Sequence, residues 1–172
     1  SVYSVVKPIL DQRGLAGTLY TIPDALGTTG YITAAQEEAL HQSGWDIAGH
    51  HQTNLSTMTQ ADRQTALKNV ATYLRQKGYR GAEHFAYPNG VFNDEIARDV
   101  RKYFATGRTI NWLFQPRNYI NEMHINSISV SNASSPAIIL GMVDKAIEEG
   151  AWVIITFHKI TPAAVEEIEG DL

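Results

Sequence analysis

The chain has 172 residues, 44% of them hydrophobic and 19% charged, and 14 Lys and Arg against 18 Asp and Glu leave a net charge of −4. That length and balance describe one globular domain over residues 1–172, the lack of a basic excess argues against a nucleic-acid-binding surface, and no apolar run approaches the roughly 20 residues of a membrane span. Without cysteine, disulfides, thiolate metal sites and cysteine nucleophiles are excluded.

Residues 1–12 carry an apolar stripe of Val2, Val5, Val6, Ile9 and Leu10, which predicts a helix limited by Pro8 and ended by Gly14. The stretch 15–23 reads as a strand. Thr33-x-x-Gln36 forms a capping box for a helix reaching Gln42 and closing near Gly44. A short strand is expected over 45–50. Thr59 opens a helix whose Leu67, Val70, Ala71 and Leu74 face one way, stopped by Gly78.

Residues 84–87 predict a third short strand, ended by Pro88-Asn89-Gly90, and Asn93 caps the helix that follows. The alternation over 125–130 predicts a half-buried strand. Ser135 and Pro136 start a helix that Gly150 ends. The seven-residue apolar run 151–157 has the pattern of a strand covered on both faces. Alternating helices and strands of this kind imply an α/β fold with a parallel sheet or barrel. The chain starts inside an element and its last segment, 166–172, closes none, so both ends are expected to be cuts through a longer protein.

In parallel α/β folds reactive groups gather at the carboxyl ends of the strands. His50 ends one expected strand, His158 ends another, and the 88–90 turn ends a third. His50 is either a metal ligand or a strand-end imidazole satisfied by a carbonyl. Neighbouring side chains of an extended segment point apart, so His51 would join it on one metal only if the backbone turns there. His158 is placed either to transfer a proton or to cap its strand. His41, His84 and His124 have structural roles on this reading, Glu37 and Glu38 belong to a solvated helix face, and Asp46 is a turn residue at a strand start.

In chain order, the segments 14–23 (GLAGTLYTIP), 45–59 (WDIAGHHQTNLSTMT), 84–93 (HFAYPNGVFN) and 152–160 (WVIITFHKI) resemble the NodB-type polysaccharide deacetylases, carbohydrate esterase family 4. The resemblance covers most of the chain. It implies a distorted, incomplete (β/α) barrel of mostly parallel strands. It also implies hydrolysis of N- or O-acetyl groups of a polysaccharide by a metal-bound water, with an Asp and two His as ligands, a second Asp as base and a late His as acid.

Carried over by residue, the family's first motif, an Asp-Asp pair, is absent, and the chain begins just downstream of its place. His50 matches the first His of the second motif, since Asp46-Ile47-Ala48-Gly49 precedes it and Leu55-Ser56-Thr57-Met58-Thr59 follows. The span between is two residues short, which leaves Gln52 at the position counted back from Leu55 and His51 as the candidate second ligand. Pro88-Asn89-Gly90 matches the third motif with Asn in place of the aromatic, and the backbone N–H of Asn89 takes the oxyanion role. Ala86 stands where the motif has Arg. His158 matches the general acid, and the Asp that tunes it has no counterpart.

The implied cofactor is a divalent metal ion, Zn2+ foremost. The implied partner is an acetylated polysaccharide or oligosaccharide rather than nucleic acid or a membrane, at a secreted or cell-envelope location. The alternative is a non-catalytic carbohydrate-binding relative that has lost the metal site, using Tyr87, Trp112 or Trp152 to stack on sugars, with Trp152 expected in the core. A third reading is an unrelated α/β-barrel hydrolase.

Overall fold

The computed structural model describes residues 2–116, 118–131 and 134–158. The closing segment 166–172 lies outside them. The chain opens in a π-helical turn, Val2–Val6, that runs into α1 (Lys7–Asp11). There follow β1 (Thr18–Thr21), α2 (Ala34–Gln42), β2 (Asp46–Gly49), α3 (Gln60–Gln76), β3 (His84–Ala86), α4 (Asp94–Arg101), β4 (Thr106–Arg108), β5 (Ile128–Ser129), α5 (Pro136–Glu149) and β6 (Ile155–Thr156).

Local signals set the helix ends. The Thr33–Gln36 capping box forms in both directions, Thr59 caps α3 through the Asp62 amide, and Asn93 caps α4 through the Ile96 amide. Each such cap contributes about 1 kcal/mol. Gly150 ends α5 in the left-handed conformation at φ 59°.

Strands β1 to β4 pair in parallel and in chain order, and β5 pairs in parallel with β6. A parallel bridge from Arg108 to Ile125 extends the ladder beyond β4. Ile125 N–H donates to Gly107 O at 2.9 Å, and Thr109 N–H donates to Ile125 O at 2.7 Å. Strand order that follows chain order, with helices between, gives an incomplete (β/α) barrel, as expected; the described strands do not close it.

The core lies between the sheet and α2–α4. Leu40, Ile47, Leu67, Leu74, Phe85, Ile96 and Val100 are buried there, each contributing on the order of 2 kcal/mol. Glycine lets the backbone run close to Tyr87: a Cβ on Gly107 would stand 2.4 Å from its hydroxyl oxygen, and that hydroxyl donates to Met123 O.

Three expectations need correction. Over 151–157 only Ile155 and Thr156 form a strand, paired on one side to β5, so Trp152 is 49% exposed rather than core and Phe157 is also exposed. Over 125–130 only Ile128 and Ser129 are strand. Glu37 does not belong to a solvated face. It is fully buried and accepts hydrogen bonds from Thr21 Oγ1, Tyr73 OH and Tyr79 OH, three donors that replace the water a carboxylate loses on burial. Burial and this carboxylate push the hydroxyl pKa of both tyrosines far up.

Candidate active site

The carboxyl ends of the strands carry the histidines. The peptide N–H of His50 donates to Thr21 O at 2.8 Å, which extends the β1–β2 ladder and holds the residue at the rim. Its imidazole Nδ1 lies 2.8 Å from Ala86 O. A carbonyl can only accept, so Nδ1 carries the proton and Nε2 keeps its lone pair. Burial, and then the positive charges of Arg108, His51 and His158, lower the pKa of His50 to about 4 against the raising effect of the Ala86 bond. His50 is therefore a neutral imidazole with one lone pair to offer.

His158 belongs to the same rim. Its charge is among those that act on His50, and its Nε2 lies 2.9 Å from Ser129 Oγ on β5. The side chain is exposed, so a ligand can reach it. His51 is also near His50, but its Nδ1 accepts from the Thr53 N–H at 3.1 Å, a local turn that occupies one ring nitrogen.

The 88–90 turn follows β3 at the rim. Its two closing hydrogen bonds come from Gly90 N–H to Tyr87 O and Val91 N–H to Pro88 O, so neither uses the Asn89 N–H. Asn89 adopts φ 55° and ψ 15°, a left-handed conformation that Asn tolerates better than most side chains. Gly90 is held there by shape as well as by its φ of 68°, because a Cβ would come within 2.3 Å of Ile110 Cγ1.

Most of the other candidates are held by structural contacts. Asp46 starts β2 and pairs with Arg80 at 3.1 Å. His84 Nδ1 lies 2.9 Å from Thr106 Oγ1 at the opposite end of β3, and His124 accepts from Asn111 Nδ2 and packs on Phe92. Tyr87, a sugar-stacking candidate, is 2% exposed and stacked on Phe92. Trp112 is exposed.

One residue at this site escaped the sequence reading. Arg108 ends β4, is 7% exposed, and holds its guanidinium 4.6 Å from the centre of the Tyr20 ring. Its Nη1 donates to Ser127 Oγ and Thr156 Oγ1, each at 3.1 Å, and to Thr109 O at 3.3 Å. No local pattern announces it; the weak signal available was an Arg closing a short strand.

His50 fits as a ligand of a divalent metal ion, but among the described residues no three His, Asp or Glu side chains come together as a metal site. The set present is incomplete.

Residues 1–108 match the family model described as Polysaccharide deacetylase. No curated protein matches the chain. Among solved structures, the Streptococcus pyogenes deacetylase PplD in complex with acetate aligns with a TM-score of 0.72 at 22% identity, over 81% of this chain and 64% of that one. The family 4 carbohydrate esterase from Streptomyces lividans in complex with acetate aligns with a TM-score of 0.66 at 16% identity, over 98% of this chain and 78% of that one. BC0361, a polysaccharide deacetylase from Bacillus cereus, gives 0.67 at 16% identity, over 80% of this chain and 46% of its own. The chain thus spans less than two thirds of the length of two of these relatives, and at these identities the likeness is one of fold.

Proposed function

Since this chain belongs to the polysaccharide deacetylase family, we propose that it hydrolyses acetyl groups, N- or O-linked, from an acetylated polysaccharide or oligosaccharide, with the strand-end rim as its active site. The reading rests on His50 and His158, far apart in the chain, flanking one residue, Arg108: Ala86, whose carbonyl holds His50, pairs with Arg108, and Arg108 bonds Thr156, two residues before His158.

Each group has a task that follows from its chemistry. Attack on an acetyl carbonyl puts negative charge on its oxygen, and a backbone N–H aimed at that oxygen contributes roughly 3 kcal/mol; Asn89 N–H takes this role. An amine or alkoxide leaves poorly without a proton, and His158 supplies it as general acid, its ring held by Ser129 Oγ. His50, kept neutral by burial, has its ring orientation fixed by the Ala86 carbonyl and presents its Nε2 lone pair.

Zn2+ or another divalent ion is part of this proposal, since a bound ion acidifies water and polarises the carbonyl. His50 would hold it, with His51 beside it. The described residues do not complete its ligand set. A polymer substrate favours a secreted or cell-envelope site of action. Among the described residues no helix is long and apolar enough to cross a membrane.

The incomplete ligand set favours one second reading, a carbohydrate-binding relative without catalysis. Acetate release from acetylated chitooligosaccharides and acetylated xylan, measured with and without a chelator, separates the two. Release that the chelator abolishes supports the metal-dependent deacetylase. Sugar binding without release, in protein free of stoichiometric zinc, supports the binding relative.

A further inference from the structure

Glu37 on α2 is 0% exposed, and among the described residues no lysine or arginine pairs with it. Its two oxygens are held by hydroxyls instead. Thr21 Oγ1, at the end of β1, donates to Oε1. Tyr73 OH on α3 and Tyr79 OH just past that helix donate to Oε2, the latter at 3.0 Å. Taking a carboxylate out of water is costly, and an apolar side chain of like volume fills such a space without that cost. What the carboxylate does that an apolar group cannot is fix three hydroxyls at once.

One of those hydroxyls belongs to the residue that holds His50. Side chains alternate along β1, so Tyr20 faces Arg108 while Thr21 faces Glu37 on α2. Thr21 is the last residue of β1, and the chain turns away at Pro23, so the strand gives it no support on that side. Its carbonyl accepts the His50 N–H at 2.8 Å. A second route runs through α3. Tyr73 lies one turn beyond Val70, and Val70 presses on Gly49, the residue before His50: a Cβ there would stand 3.0 Å from Val70 Cγ1. Glu37 thus supports His50 across the ladder through Thr21 and from below through α3, while Ala86 O holds the ring.

We infer that Glu37 is a positioning residue for His50: by holding Thr21 Oγ1 it fixes the carbonyl that clamps the His50 peptide at the rim. It touches no substrate. Its bearing on acetyl hydrolysis rests on the deacetylase reading; the positioning itself does not. Three substitutions separate this role from packing. Glu37→Gln keeps the size but sets an amide NH2 against hydroxyls that donate, and its remaining oxygen carries no charge. Thr21→Val keeps the shape and removes only the hydroxyl. Thr21→Ser keeps the hydroxyl and drops the methyl.

The test is native-state hydrogen exchange by NMR on metal-free full-length protein. It compares the His50 N–H with the Ile128 N–H, which bonds Ile154 O at 2.8 Å beside the separate β5–β6 pair. In Glu37→Gln and Thr21→Val the His50 amide should speed up at least about tenfold more than the Ile128 amide, and Thr21→Ser should behave as the parent. A role in general stability moves both amides by one factor. The inference is overturned if the two amides speed up equally, if neither does, or if Thr21→Ser exchanges as fast as Thr21→Val. If circular dichroism shows Glu37→Gln and Thr21→Val unfolded, Tyr73→Phe, which takes one donor from the same carboxylate, decides by the same comparison. In a parent that releases acetate, Glu37→Gln should lower kcat and leave KM in place. Selective exchange at His50 in a protein that releases no acetate from any acetylated glycan refutes the deacetylase reading alone; acetate release with unselective exchange refutes the Glu37 inference alone.

Discussion

The helix-covered side of the sheet and the rim treat buried polar groups in opposite ways. Between α3 and α4, Asp99 accepts from Arg63, Gln64 and Lys102, and Arg63 also reaches Glu95. Glu37, between β1 and α3, has three hydroxyl donors. Charge there is matched within the protein. Among the described residues, Arg108 at the rim has no carboxylate, His50 spends its Nδ1 on the Ala86 carbonyl, and Asn89 is held left-handed. The scaffold pairs its charges, although Trp45 Nε1 and His41 Nδ1 are buried there without a partner; the cation at the rim is held by neutral groups.

Substitutions should separate the two regions. The largest expected effect is at the rim: His158→Ala lowers kcat for acetate release about 10²–10⁴-fold while the thermal unfolding midpoint stays put. A midpoint that falls with the rate would assign His158 to the scaffold.

Asp99→Ala should do the reverse. Removing the buried carboxylate leaves Arg63 only the half-exposed Glu95 and takes the acceptor from Gln64 and Lys102, which costs about 3–5 kcal/mol of stability, read by denaturant unfolding, with little change in rate per folded molecule. Arg108→Gln strands no carboxylate among the described residues but removes bonds to two hydroxyls and a carbonyl, so its stability cost should be smaller, about 1–3 kcal/mol. Equal losses for Asp99→Ala and Arg108→Gln would break the comparison.

Acid should find the two regions at different pH. Burial lowers the folded pKa of His50 to about 4, so in its metal-free state the unfolded chain takes up this proton first. The stability tied to His50 is complete above about pH 6.5 and is lost as pH falls toward 4, by up to roughly 3 kcal/mol. Burial alone would raise the Asp99 pKa, but its bonds from Lys102, Arg63 and Gln64 lower it overall. Its contribution therefore persists above the ordinary carboxylate value near 4 and is lost only below it. His50→Gln should flatten the first slope and leave the second.

The smallest effects come from single caps and turns. Thr33→Ala should cost about 1 kcal/mol, and Asn89→Gly only a few tenths, because glycine accepts φ 55° freely. A large loss of acetate release in a stably folded Asn89→Gly would assign the role to the Asn side chain rather than to the backbone N–H.

What could be read from the sequence divides along similar lines. The caps at Thr33, Thr59 and Asn93 and the stop at Gly150 were legible because each acts within three or four residues. His50 and His158 were legible because strand ends are marked by apolar runs and turns. Glu37, Asp99 and Arg108 were not. Their partners are brought by other elements: Tyr79 to Glu37, Arg63 to Asp99, and Tyr20 and Thr156 to Arg108. Composition on a single helix or strand carries no trace of that pairing. The run 151–157 misled because continuous hydrophobicity signals a strand with two covered faces, whereas β6 pairs on one side and leaves Trp152 and Phe157 exposed.

The most direct measurement is steady-state acetate release from an acetylated chitooligosaccharide by the full-length protein and its His158→Ala variant, side by side at pH 7. A parent that releases acetate and a folded variant slowed at least about a hundredfold is the predicted result. A variant as fast as its parent, or a zinc-replete parent that releases nothing, contradicts it.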